Sequence, residues 1–285
     1  MSALPRELRC MSTRDKSSSK KKPSLFRRLN LRLPWLKLVA VILIGVIIIL
    51  DLLDLTISKS SDLKNAFPTT PMSKHVKATE RVLKGKKLVA LTFDDGPSPS
   101  TTPALLDILS EKSVLATFFM LGNMAQNNPG IVKRIEREGH EVASHTMYHQ
   151  NLVLLSRGAV QSDVNEAKTV FSNILGHTPK LTRPPYGNFN DAVFSSTNTP
   201  LILWSVDPQD WRNKDASTIL GITLNQVHDG AIILLHDIYP TTVEAVSSIV
   251  DTLRDSGYEF TTVSELAEIR DVDLSSGEYY YNFLP

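Results

Sequence analysis

The stretch from about residue 85 to 270 predicts an α/β domain built on a parallel sheet, because short β-rich apolar runs alternate there with helical patterns. Seven such runs in fewer than 190 residues point to a small closed or nearly closed β/α barrel, with a doubly wound open sheet as the alternative. A third observation supports the barrel: the distinctive polar residues fall where the runs end, and in β/α barrels that rim is where sites are built.

The runs are read at 87–93, 115–121, 140–145, 180–183, 201–206, 231–236 and 259–263, with helices at 102–112, 129–138, 157–175, 215–228 and 242–255. Asp94 and Asp95 follow the first run, His145 closes the third, Arg183 the fourth, Asp207 and Asp210 follow the fifth, and His236 ends the sixth. After Tyr186, the segment Asn190 to Asn198 is too short for a full helix. The tail 271–285, with Tyr279, Tyr280 and Tyr281, has no periodicity that assigns it a place.

Ahead of the domain the chain changes character. Residues 1–37 carry a net charge of +9 and residues 38–285 one of −8, so the total of +1 joins two opposite regions. Leu38 to Leu50 is an uncharged apolar run, shorter than the roughly 20 residues a bilayer requires, but flanking Leu and Trp residues extend it to a single span over 33–55. The basic tail 1–32 lies before this span, which predicts a signal anchor with a cytoplasmic N-terminus and an extracytoplasmic domain. No small-x-small cleavage site follows, against a cleaved signal peptide. Next to a span the basic residues read as an orientation signal, not as a nucleic-acid arm. Residues 56–84 read as a polar linker. Cys10, the only cysteine, lies in the tail, so the domain has no disulfide and must hold any metal through His, Asp or Glu.

Asp94-Asp95 and the pair His145, His149 supply such ligands. Successive side chains at a strand end point in opposite directions, so one aspartate can face a metal while its neighbour faces the attacking water. Two imidazoles and one carboxylate are three protein ligands, the number that leaves a position open in catalytic zinc sites. His140-Glu141 lacks a partner histidine at Ser144, which excludes the H-E-x-x-H helix, and neither G-x-S-x-G nor P-loop spacing occurs. Asp207, Asp229 and Asp237 read as turn residues, and His75, His177 and His228 as structural or solvated.

Five segments in order, Thr92 to Gly96, His145 to His149, Arg183-Pro184-Pro185-Tyr186, Asp207 to Trp211 and Leu234-Leu235-His236, resemble the motifs of the NodB-homology polysaccharide deacetylases, carbohydrate esterase family 4. The resemblance spans about residues 85–268 and implies a distorted (β/α)7 barrel. It implies Asp95, His145 and His149 as ligands of one divalent metal, most often zinc with cobalt or another ion possible. Asp94 resembles the general base and His236 the general acid, with Asp210 orienting His236 and Arg183 holding Asp94. The Tyr186 N–H would meet the oxyanion, and Trp211 and Leu234 would shape a slot for the acetyl methyl.

The implied activity is removal of N-acetyl groups from N-acetylglucosamine-type residues of a cell-envelope polysaccharide, peptidoglycan first. Chitin oligosaccharides, a surface glucosamine polymer and O-acetyl xylan are alternative substrates. A small-amide amidase and a catalytically silent glycan-binding protein are the rival classes. The oligomeric state is left open.

Overall fold

The computed structural model describes residues 45–50 and 83–285. Residues 45–50 are helical, and among the described residues no helix is long and apolar enough to cross a membrane. The rest of the expected span 33–55, the tail before it and most of the linker lie outside the described residues.

The domain is α/β with a parallel sheet. In chain order its elements are β1 (Lys87–Asp94), α1 (Thr102–Glu111), β2 (Thr117–Met120), α2 (Gly122–Asn127), α3 (Pro129–Arg137), β3 (Glu141–Ser144), α4 (Arg157–Leu175), α5 (Asp191–Thr197), β4 (Leu201–Ile202), α6 (Ala216–Gln226), β5 (Ala231–His236), α7 (Pro240–Asp255), β6 (Tyr258–Thr261), α8 (Val263–Ile269) and β7 (Tyr279–Tyr280). The order β3-β2-β1-β5 is parallel throughout, and β6 takes the N-terminal half of β1 beside β2. Single parallel bridges continue the series, Ser144 to Thr182, Thr182 to Leu201, and Val206 to Ile233 on β5.

Two expected strands shrink to points in this series. The run 180–183 survives as one bridge at Thr182, and 201–206 as the two-residue β4 plus a bridge at Val206. Pro184 and Pro185 end the first run, since proline offers no N–H to a ladder. Two short helices, α2 and α8, were not read from the sequence; α2 has only six residues, too few to show a helical period.

Strand alternation divides the interior into two cores. Val89, Leu91 and Phe93 point outward into the layer between sheet and helices, with Leu105, Val246 and Ile249. Leu88 and Ala90 point inward with Phe119, Ala143, Ile202 and Ile232. With a period of two, Thr92 and Asp94 share the inward face of β1, and Leu234 and His236 that of β5. The polar ends of these strands are thus aimed at the mouth of the inner core.

The tail that the sequence left without a place runs along the opposite end. β7 pairs with β4 in parallel, Phe283 N–H donates to Gly230 O, and the Phe283 side chain joins the inner core at 2% exposure. Gly230 has φ +83°, and a methyl group there would meet Phe283 O at 2.0 Å, so the residue answers both a backbone and a space requirement.

Candidate metal centre and active-site cleft

A cleft of about 390 Å3 opens at the C-terminal ends of β1, β3 and β5, within the range typical of ligand pockets. Asp94, Asp95, His145, His149, Tyr186, Trp211, Leu234 and His236 all line it, although they span more than 140 residues of sequence. Two more residues singled out from the sequence, Arg183 and Asp210, do not line it; both are 0% exposed and act from behind the wall.

On one side, Asp95 Oδ1 lies 3.5 Å from His145 Nε2 and 3.3 Å from His149 Nε2. One donor atom from each of the three lies within 4.8 Å of the others, and Asp95 Oδ1 is buried without a hydrogen-bond partner. An orphaned carboxylate oxygen facing two imidazole nitrogens fits a divalent cation, which would satisfy all three. His145 Nδ1 lies 2.7 Å from Arg183 O, so Nδ1 donates its hydrogen there and Nε2 presents its lone pair. Burial pushes the His145 pKa down to about 3, despite the nearby Asp95 carboxylate, so the ring is neutral and free to ligate. The backbone is strained at these positions: Asp95 (φ 73°), Thr146 (71°), His149 (55°) and Tyr186 (61°) all lie in the left-handed region.

Asp94 points inward from β1, and its Oδ1 accepts from Arg183 Nη1 at 2.6 Å. The guanidinium spends its other donors on Thr92 Oγ1 (2.8 Å), Ile202 O (3.0 Å) and Leu203 O (2.9 Å), and lies over the Phe119 ring at 4.0 Å. Every partner of this buried cation is fixed by the inner wall. Burial raises the Asp94 pKa above its ordinary value, while Arg183 and His236 pull it back. A carboxylate made more basic yet held ionised by a cation suits proton abstraction.

Across the cleft, His236 Nδ1 donates to Asp210 Oδ1 at 2.8 Å. Asp210 accepts three further bonds, from the Trp211 N–H (2.9 Å), the His236 N–H (2.7 Å) and the Thr242 hydroxyl (2.7 Å). Burial opposes charge on the His236 ring, but the bond to Asp210 and the carboxylates of Asp210, Asp94 and Asp95 outweigh it and raise its pKa to about 9. His236 is therefore an imidazolium at neutral pH, with Nε2 left to donate.

At the mouth, the Tyr186 ring is 61% exposed and meets the His149 ring edge-on at 4.7 Å. Its backbone N–H makes no hydrogen bond among the described residues. Leu234 is buried and Trp211 is 48% exposed, so the apolar slot has a firm base and an open lip.

Sequence reasoning passed over several neighbours. Trp204 and Tyr239 line the cleft, and Thr242 completes the Asp210 shell from the first turn of α7. Asp207 does form a turn, accepting from Gln209 N–H at 2.8 Å, but also lines the cleft. Asp237, read as a turn residue, is instead fully buried and bonded to the Thr102 hydroxyl; burial pushes its carboxyl up to about 7. A methyl group on Gly96 would come within 2.2 Å of Asp237 Oδ2, so only glycine lets the loop after Asp95 lie on this carboxyl. A lone acid beside a histidine gives no sequence signal of such burial.

A family model described as polysaccharide deacetylase matches residues 81–199. The peptidoglycan-N-acetylmuramic acid deacetylase PdaC of Bacillus subtilis (strain 168) is 41% identical over 191 residues, which cover 67% of this chain and 41% of PdaC. The chain thus spans about two fifths of the length of that relative. A peptidoglycan-N-acetylglucosamine deacetylase of Bacillus cereus is 40% identical over 196 residues, covering 66% of this chain and 92% of that protein. The solved structure of PdaC superposes with a TM-score of 0.64 at 41% identity, over 66% of this chain and 93% of that one. A family 4 acetyl xylan esterase from Clostridium thermocellum, solved with a cobalt ion, superposes with a TM-score of 0.66 at 32% identity, over 70% of this chain and all (100%) of that one. Five motifs at one cleft, a parallel α/β sheet and relatives of this similarity lead to one assignment: the chain belongs to the polysaccharide deacetylase family.

Proposed function

We propose that this protein is a metal-dependent N-deacetylase of a cell-envelope glycan, acting on N-acetylglucosamine-type residues of peptidoglycan and releasing acetate. The observation that carries the reading is the opposition of two groups across the cleft: a buried carboxylate, Asp94, beside three convergent metal donors, and a cationic His236 facing them.

Asp95, His145 and His149 would hold a divalent cation, zinc in this reading with cobalt as alternative, which when bound would supply a water of lowered pKa and a Lewis acid for the acetyl carbonyl. Asp94 takes a proton from the attacking water, and Arg183 keeps that carboxylate ionised and fixed. The Tyr186 N–H donates to the carbonyl oxygen as it gains charge. His236 gives its Nε2 proton to the amide nitrogen, the C–N bond breaks, and the sugar amine and acetate depart. Asp210 holds the imidazolium in place, while Leu234 and Trp211 take the acetyl methyl. Arg183 and Asp210 act through Asp94 and His236, and are positioning residues.

The same reading makes the sheet a distorted (β/α)7 barrel and residues 33–55 a signal anchor that holds the domain outside the membrane. A polar linker of about thirty residues limits its reach to nearby polymers. A second reading places the acetyl group on N-acetylmuramic acid, favoured by the activity named for PdaC.

Acetate release by the purified protein from peptidoglycan tests the proposal. Release abolished by a chelator and restored by zinc is expected, and no release under metal-replete conditions overturns it. Mass spectrometry of digested wall fragments then locates the freed amine on glucosamine or muramic acid.

A further inference from the structure

The loop that carries His149 cannot hold its own shape. Between the two histidines, Thr146 has φ 71° and His149 itself φ 55°, conformations that side chains other than glycine adopt only when their surroundings impose them. The clamp comes from outside the motif. Gly122 N–H donates to Thr146 O at 2.8 Å and Asn123 N–H to Met147 O at 3.2 Å, fixing the loop's carbonyls on the first turn of α2. On the other flank stands α4. Its Asp163, 6% exposed, accepts the Met147 N–H at 2.8 Å, and Glu166, one turn on, accepts the Tyr148 hydroxyl at 2.7 Å. The Met147 side chain is buried between the two helices, so close to Gly122 that a methyl group there would come within 2.5 Å of its sulfur.

The backbone partners of Asp163 are both in this loop, the Met147 N–H and the neighbouring Tyr148 backbone. Asp163 faces α4's buried side, where Val160, Val164 and Ala167 are apolar, and a buried carboxylate in such a place costs free energy unless a backbone donor needs it. We infer that Asp163 is a positioning residue for the metal centre: by fixing the Met147 N–H it holds the loop in the strained turn that brings His149 to Asp95 and His145. This rests on the reading of Asp95, His145 and His149 as metal ligands. Asp163 lies fourteen residues beyond His149 and outside the five motifs. Its effect is on the preorganisation of one ligand, as is typical of the outer shell of a metal site.

The test is metal binding by the full-length protein, stripped of metal and titrated with zinc against a competing chelator, and with cobalt followed by its visible absorption. Asp163→Ala should raise the metal Kd by about 10–100-fold and alter the cobalt spectrum, as expected when a partner behind a ligand is lost. Asp163→Asn, which keeps an acceptor oxygen for the Met147 N–H, should restore most of the affinity and the wild-type spectrum. Wild-type affinity and spectrum in Asp163→Ala would overturn the inference, even if its metal-free melting temperature fell, because a residue serving only stability changes the latter alone. Should the alanine variant not fold, Asp163→Asn and Asp163→Ser decide, since the shorter serine should weaken metal binding and the asparagine should not; equal affinity in both refutes the role. If the wild-type protein itself binds neither ion, it is the metal reading that fails.

Discussion

The two sides of the cleft use the same residue type for opposite ends. His145 and His236 both stand at strand ends on the inward face and both are largely buried, yet burial leaves the first neutral, with a pKa pushed down to about 3, and the second is held cationic, with a pKa of about 9. The difference lies in what each Nδ1 meets. His145 donates to a backbone carbonyl, a dipole whose pull toward the charged ring is outweighed by burial, whereas His236 donates to a carboxylate that itself collects three other donors. The first arrangement suits the ligand, and the second the acid, of the proposed mechanism. The two sides also differ in how much strain they hold: left-handed residues gather at Asp95, Thr146, His149 and Tyr186 on one side, against Gln209 beside Asp210 on the other, where His236 itself ends a regular strand.

The largest expected effect breaks the carboxylate side. Asp94→Asn keeps the shape but removes the base, and acetate release should fall by about 100- to 10,000-fold, while the melting temperature also drops because the buried Arg183 loses its counter-charge. Near-normal turnover would remove Asp94 from the mechanism.

Arg183→Met leaves Asp94 buried without its counter-ion and should cost about 3–5 kcal/mol of unfolding free energy in denaturant titrations. A stability within error of wild type would mean that the pair contributes nothing to the fold.

Asp210→Asn sharpens the contrast between the histidines. In the wild type, activity that needs protonated His236 should persist through neutral pH and decline only as pH rises through about 9. In the variant the imidazolium loses the partner that raised its pKa, and the alkaline decline should move toward the ordinary histidine value near 6.5. An unmoved limb in the pH profile of kcat/KM would show that Asp210 does not set the charge of His236.

Stability in metal-free protein should carry the same signature with opposite signs. His145 titrates lower in the folded than in the unfolded chain, so its contribution is present above about 6.5 and is lost as pH falls toward 3. His236 titrates higher when folded, so its contribution is complete below about 6.5 and is lost as pH rises through 9. Thermal melts of His145→Ala and His236→Gln across this range should flatten the acid and alkaline limbs respectively. Flattening of the same limb in both would erase the distinction.

The smallest effect is expected from Thr242→Val, which deletes one of the four bonds to Asp210 and should cost about 1 kcal/mol while leaving the other three donors in place. A loss as large as that of Asp210→Asn would mean that Thr242 alone holds the carboxylate.

Much of this was legible beforehand. Asp94, Asp95, His145 and His236 could be placed at the ends of apolar runs, because a run of β-rich residues followed by a polar residue is a local signal. The two-residue spacing then forced Asp94 and His236 onto the inward face. The strand that escaped detection, β7, is too short to carry a period and exists because β4 offers it a partner, and the run read at 180–183 shrinks to a bridge at Thr182. Asp163, Thr242 and Asp237 were equally silent: each is a single polar residue in a helix or turn whose importance comes from a donor brought up by a distant segment.

By itself, then, the order of residues determined the alternation of strand and helix, the face each strand end presents and the kinds of ligand, base and acid available, since all of these follow from local periodicity and side-chain chemistry. Only the folded chain decided which histidine is neutral and which is charged, which acids stand behind the wall rather than in the cleft, and how the strained ligand loop is held. Those outcomes depend on burial and on partners far away in sequence, and neither exists until the chain has folded.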